Sequence, residues 1–161
     1  MTPHNETERK YIVKMPEFPL PVPERVSGIR QIYLVSEPGT AERVRERDGV
    51  YYHTVKKRIS PLTSLESEEI ISKEGFLSLL ERRDINKREI TKDRHVFDYN
   101  GQIFELDVFP FWKNQAMMEI ELDNEDVKVD FPPFLTLVKE VTGDHAYSNN
   151  KLAVTVPDEL I

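Results

Sequence analysis

The chain has no cysteine, only six glycines and one tryptophan in 161 residues. Without thiols there are no disulfides, no thiolate nucleophile and no cysteine-held zinc. The glycines form neither G-x-G-x-x-G nor G-x-x-x-x-G-K-[ST], so any phosphate binding has to use side chains rather than a backbone loop. There is no G-x-S-x-G elbow, and His4, His53, His95 and His145 show no zinc-ligand spacing, so each is expected as a surface or loop residue. No apolar run reaches membrane-spanning length and the N-terminus shows no signal-like stretch; a cytoplasmic protein with no membrane partner is expected. A basic excess is also missing. With 22 Lys and Arg against 29 Asp and Glu the formal charge is −7, which leaves no net field to recruit DNA or RNA, and no nucleic-acid partner is expected.

What is present reads as a single domain over 1–161, mainly β. Strand-like segments fall at roughly 6–13, 29–36, 41–48, 50–57, 64–71, 88–97, 102–109 and 116–122, with Asp48-Gly49 and Asn100-Gly101 as hairpin signals. Residues 14–28, crowded with proline, form an extended connector between the first two strands. Lys73–Arg83 has a helical stripe of Phe76, Leu77, Leu79 and Leu80. A second helix is expected after Asp123, ending before Pro132-Pro133; Ser148–Val156 fits a short helix capped by Ser148 or Asn149, although Val154-Thr155-Val156 reads as strand. Trp112 lies in a loop and reads as ordinary packing.

The charges repeat at strand spacing. Glu6, Glu8 and Lys10 share one strand face, as do Arg43 and Arg45, with Arg47 able to extend the row. Glu66 and Glu68 pair, Lys92 and Arg94 pair, and acids alternate with aliphatics in Glu105-Leu-Asp107-Val-Phe and Glu119-Ile-Glu121-Leu. Like charges two residues apart on a face repel, so the arrangement costs stability unless opposite charges or ions stand across from them. One such strand is a solvated face; six point to a closed sheet with a charged interior and aliphatic faces covered by helices outside. Rows of Arg and Lys suit a polyanion such as a triphosphate, and carboxylates suit hard divalent cations that bridge to it.

These same residues carry a family likeness. Glu6-Thr-Glu8-Arg-Lys10-Tyr-Ile-Val resembles the E-x-E-x-K strand of the CYTH superfamily, the triphosphate tunnel metalloenzymes. Ile29–Leu34, Arg43-Val-Arg45, Thr54-Val-Lys56, Glu66-Ser-Glu68, Lys92-Asp-Arg94, Phe104–Phe109 and Glu119-Ile-Glu121 follow in the family's order, and Glu140–Ala153 resembles its closing segment. The sequence departs from that pattern at Ile32, where glycine is usual, and at Ala146, where arginine is common and Lys151 is the nearest replacement. The loop 110–116 also lacks the glycines often seen there.

The resemblance implies an eight-stranded antiparallel closed β-barrel, a tunnel with a polar charged lumen and a few outer helices. By position, Glu6, Glu8, Asp107, Glu119 and Glu121 would face the metal, with Mg²⁺ or Mn²⁺ expected, two ions in all. Lys10, Arg30, Arg43, Arg45, Lys56, Lys92, Arg94 and Lys151 would hold the substrate, and Glu66 and Glu68 would stand on the wall. Glu119, Glu121 and Lys10 are the expected catalytic groups. The implied activity is hydrolysis of inorganic triphosphate, and of nucleoside triphosphates less selectively, by metal-activated water, in a monomer or homodimer. Three alternatives stay open: adenylate cyclisation, thiamine triphosphate hydrolysis and a non-catalytic polyphosphate- or nucleotide-binding module.

Overall fold

In the computed structural model, which describes residues 2–161, nine strands and two short helices follow one another along the chain. They are β1 (His4–Lys14), β2 (Arg25–Tyr33), β3 (Thr40–Arg47), β4 (Val50–Arg58), β5 (Thr63–Ile71), α1 (Lys73–Leu79), β6 (Ile90–Tyr99), β7 (Gln102–Val108), β8 (Gln115–Leu122), β9 (Leu137–Glu140) and α2 (Asn149–Leu152). Around the sheet the order is β5-β4-β3-β2-β6-β7-β8-β1, and β1 pairs back onto β5 to close an eight-stranded antiparallel barrel. The ninth strand, β9, is appended where the second half of β1 has left β5, pairing with Tyr11, Ile12 and Val13.

Local chemistry sets the turns. Asp48 and Gly49 have φ of 53° and 79°, and Asn100 and Gly101 have 50° and 81°, the left-handed pairs that two-residue hairpins require. Ser72 caps α1 by accepting a hydrogen bond from Gly75 N, and a 3₁₀ turn at Leu80–Arg82 continues it, so the expected helix at 73–83 forms. Trp112 packs as expected, 3% exposed, its Nε1 donating to Pro157 O.

Three apolar clusters account for the packing, each fully buried large side chain contributing about 1.5–3 kcal/mol. Ile32, Leu34 and Val44 lie beneath Phe76 of α1. On the barrel's other outer side, Tyr11, Val13, Phe97, Phe104, Leu106, Met118 and Ile120 form the largest cluster. No helix covers it, contrary to the sequence expectation; irregular chain does, Leu20 coming from one connector and Val127, Val129, Phe131 and Leu135 from another. The helix expected after Asp123 is absent because Asn124 accepts from Asp126 N through its side chain and from Val127 N through its carbonyl, making a turn. Val127, Val129 and Phe131 then recur every second residue, an extended spacing.

The third cluster decides the shape of the interior. Ile12 lies on the same face of β1 as Glu8 and Lys10, and Met117 on the same face of β8 as Glu119. Both pack with Tyr33, Ile90, Phe109, Trp112, Val141, Tyr147, Leu152 and Ala153. One end of the barrel is therefore apolar, and there the tail docks. Strand β2 starts four residues earlier than expected, at Arg25, because Ser27 and Gly28 already pair with Arg94 and Asp93 of β6; the irregular connector shrinks to 15–24.

Candidate active site

A cavity of about 790 Å³ occupies the barrel, lined by eight Lys or Arg and eight Asp or Glu side chains. The lining is thus balanced although the chain is at −7, so the excess negative charge lies on residues other than those of the lining. Strand order segregates the two signs. Glu105 of β7, Glu119 and Glu121 of β8, Glu6 and Glu8 of β1, and Glu66 and Glu68 of β5 form an acidic arc over four adjacent strands. Lys56 and Arg58 of β4, Arg43, Arg45 and Arg47 of β3, and Lys92 and Arg94 of β6 form a basic arc facing it. Lys10 alone stands among the acids, opposite Glu119 in the β1–β8 register at 3.6 Å.

Contacts within and between the arcs fix the charge states. Lys56 Nζ donates to Glu6 Oε1 at 2.7 Å and lies 3.8 Å from Glu66; Glu8 and Glu6 hold it above its ordinary value although burial opposes its charge. Arg45 lies 3.8 Å from Glu68, which also accepts from Thr54 Oγ1 at 2.8 Å. Burial, with Arg43 and Arg94 nearby, lowers Arg45 to about 10. Arg94 grips Asp107 with two hydrogen bonds of 2.8 and 2.9 Å and reaches Glu105 at 2.8 Å. Burial would raise Glu119, but Lys10, Arg94 and Lys92 outweigh it and bring it to about 2. Glu8, directly opposite Glu121, is pushed up to about 7 by burial and by Glu119; Glu121 is raised by burial and by Glu6 and Glu105.

Most of the residues singled out from the sequence meet in this cavity: Glu6, Glu8, Lys10, Arg43, Arg45, Lys56, Glu66, Glu68, Lys92, Arg94, Glu119 and Glu121 all line it. Three do not. Arg30 points outward to Glu89 and Glu46, its side chain 47% exposed, because the inward residues of β2 are the odd ones, Gln31 and Tyr33. Lys151 is turned away by the helix, and Asn149 and Asn150 face the cavity in its place. Asp107 is on the inward face but 0% exposed and saturated by Lys92 and Arg94, so it stands behind the lining as their shared counter-ion. Among the histidines, His53 and His95 are buried strand residues against Glu42 and Glu24, and His4 and His145 line the cavity, so the surface-or-loop expectation fails for the buried pair. Sequence reasoning passed over Arg58, and quoted Glu105 and Thr54 in strand motifs without giving them a place in the site. Each lies two residues along its strand from a residue that was chosen, and that periodicity was the available signal.

The oxygen-only donor set Glu6, Glu8, Glu119 and Glu121 suits a hard divalent cation. Among the described residues no three His, Asp or Glu side chains already stand as a finished cation site. The fit rests instead on crowded carboxylates: Glu8 and Glu121 face each other across β1 and β8, and the buried Glu66 Oε2, 3.8 Å from Lys56 Nζ, accepts no hydrogen bond.

A closed tunnel with opposed acidic and basic walls defines a container for a polyanion together with cations. An inorganic triphosphatase of Nitrosomonas europaea is 33% identical over 156 residues, spanning 94% of this chain and 99% of that protein. A second, from Acetivibrio thermocellus, is 30% identical over 151 residues, 91% of this chain and 92% of its own. The crystal structure of an inorganic triphosphatase superposes with a TM-score of 0.61 at 30% identity, over 95% of this chain and 97% of that one. A Pyrococcus furiosus protein shares the fold alone, with a TM-score of 0.59 at 22% identity over 75% of this chain and 80% of its own. No family model matches the chain. By its relatives and its fold, the chain belongs to the CYTH superfamily of triphosphate tunnel metalloenzymes, among the inorganic-triphosphatase-like members.

Proposed function

We propose that the chain is a divalent-metal-dependent hydrolase of inorganic triphosphate, with nucleoside triphosphates as further substrates. The observation that carries this reading is the segregation of charge around one lumen: a basic arc able to hold a linear polyanion, and an acidic arc whose clustered carboxylates suit a cation. Arg43, Arg45 and Lys56 bind phosphate oxygens, the guanidiniums offering paired N–H donors. Arg94 and Lys92, kept in place by Asp107, stabilise the diphosphate as it leaves. Lys10 neutralises charge on the phosphoryl group under attack. Glu119, held ionised by its cationic neighbours, and Glu121 accept hydrogen bonds from the attacking water and align it with the breaking P–O bond. Glu6, Glu8, Glu119 and Glu121, with Glu66 beside them, would hold Mg²⁺ or Mn²⁺, two ions being the reading for this many carboxylates. Bound there, the metal supplies neutralisation of phosphate charge and a more acidic water.

The test is product analysis. Incubated with inorganic triphosphate or ATP and Mg²⁺ or Mn²⁺, the protein is expected to release orthophosphate, fastest from triphosphate; cyclic AMP with pyrophosphate, or saturable binding without turnover, overturns the proposal. Glu8→Gln is expected to lower metal-dependent turnover on the order of a hundredfold or more, with an unchanged unfolding transition. Unaltered rates in that variant would remove Glu8 from the machinery.

A further inference from the structure

The tail brings into the lumen a side chain that the mechanism above does not use. Asn149 opens α2, which Ser148 caps by accepting from Lys151 N at 3.2 Å. It is 9% exposed and lines the cavity. Its Oδ1 accepts from Lys92 Nζ at 3.1 Å and from Gln31 Nε2 at 3.2 Å. An ammonium only donates, so the Lys92 contact fixes which end of the amide is oxygen. Oδ1 is held from two strands, since Lys92 is itself anchored by Asp107 at 2.9 Å and Gln31 donates to Tyr33 Oη at 3.1 Å. Nδ2, by contrast, makes no hydrogen bond among the described residues and is not sealed away from solvent, which leaves its two N–H groups unpaired on a residue that lines the cavity.

We infer that Asn149 is a substrate-binding residue, its Nδ2 donating to a phosphate oxygen held beside Lys92. The inference rests on the triphosphate reading and adds to it a neutral donor supplied by the tail. A neutral amide suits this position: it adds hydrogen bonds to the anion without adding to the repulsion among Lys92, Arg94 and Arg45. The competing role, a prop for Lys92, needs only the oxygen.

Two variants separate the roles. Asn149→Asp keeps acceptors for Lys92 and Gln31, removes the donor and adds negative charge; Asn149→Ala removes everything. Calorimetric titration of metal-free triphosphate into each, alongside KM and kcat, gives the answer. Both variants are expected to bind about tenfold more weakly or worse, the size of one charge-assisted hydrogen bond, with KM rising more than kcat falls. Wild-type affinity in Asn149→Asp, with loss only in Asn149→Ala, overturns the inference and leaves a prop. Asn149→Ser, an easy residue at a helix start, replaces either variant that does not fold; it too is expected to lose affinity, and wild-type affinity there overturns the inference. The wild-type titration keeps the two readings apart. No triphosphate binding by the wild type, either metal-free or with Mg²⁺, overturns the proposed function, whereas wild-type binding retained in Asn149→Asp overturns only the role of Asn149.

Discussion

Lys92 shows how a buried cation is made both available and conditional. Its side chain is 2% exposed, bounded by Asp107 at 2.9 Å, Asn149 at 3.1 Å and the Phe109 ring at 5.6 Å. Burial lowers it to about 8, and Arg94 and Arg45 add to the burial, while Asp107 and Glu119 act against it. Asp107 fares differently: facing two cations, it stays well below the ordinary carboxylate range even though burial opposes its charge. Arg94 thus supports one member of the Lys92–Asp107 pair and repels the other. The sign of the pH effect follows. Below about pH 8 Lys92 is charged; above it the folded protein loses that charge, while an unfolded lysine keeps its proton to near 10.4. From about 8 to 10.4 the unfolded chain binds the extra proton, so this group makes stability rise with pH while affinity for an anion falls. In the proposed hydrolysis, kcat/KM for triphosphate is expected to decline above about pH 8 in the wild type and to stay level further in Lys92→Arg. Coincident limbs in the two proteins would exclude Lys92 as their source.

At the scale of the element, the tail matters most. The turn after β9 places Gly143 at φ 72°, with Pro61 of the β4–β5 turn so close that a Cβ would lie 2.8 Å from Pro61 Cβ. A left-handed conformation and this contact both demand glycine. Gly143→Ala is expected to cost about 1–3 kcal/mol in urea unfolding and to weaken substrate affinity, because the turn leads into the segment that places Asn149. An unfolding midpoint equal to wild type would show that the turn gives way cheaply. The strands and both hairpins could be read in the sequence, since alternation and the Asp-Gly and Asn-Gly pairs are local signals. The covering segments could not. Asn124 looked like part of a helix start, but its hydrogen bonds make a turn, and the apolar stripe at Val127, Val129 and Phe131 takes its meaning only from the barrel face beneath it. Arg25 to Gly28 carry little strand signal of their own, and their pairing with β6 is a long-range event.

For the molecule as a whole, closing the sheet turns seven acidic and seven basic strand residues from repelling rows into facing arcs, with Lys10 and Asp144 completing the lining. That convergence was legible because two-residue spacing determines which side chains share a face. It misled at Arg30, where a one-residue difference of phase puts the side chain outside, and at Asp107, where the phase was right but ion pairing with Lys92 and Arg94 withdrew the carboxylate from the lumen. Asn149 gave no charge signal, and its place depends on the tail docking at the apolar end of the barrel.

A crystal of the protein grown with a slowly hydrolysed triphosphate analogue and Mn²⁺ tests this account most directly, because anomalous scattering locates the metal independently. The expected result is phosphorus within the lumen against Arg43, Arg45 and Lys56, with manganese between the phosphates and the β1 and β8 glutamates. Analogue and metal bound on the outer surface, with the lumen holding only solvent, would contradict it.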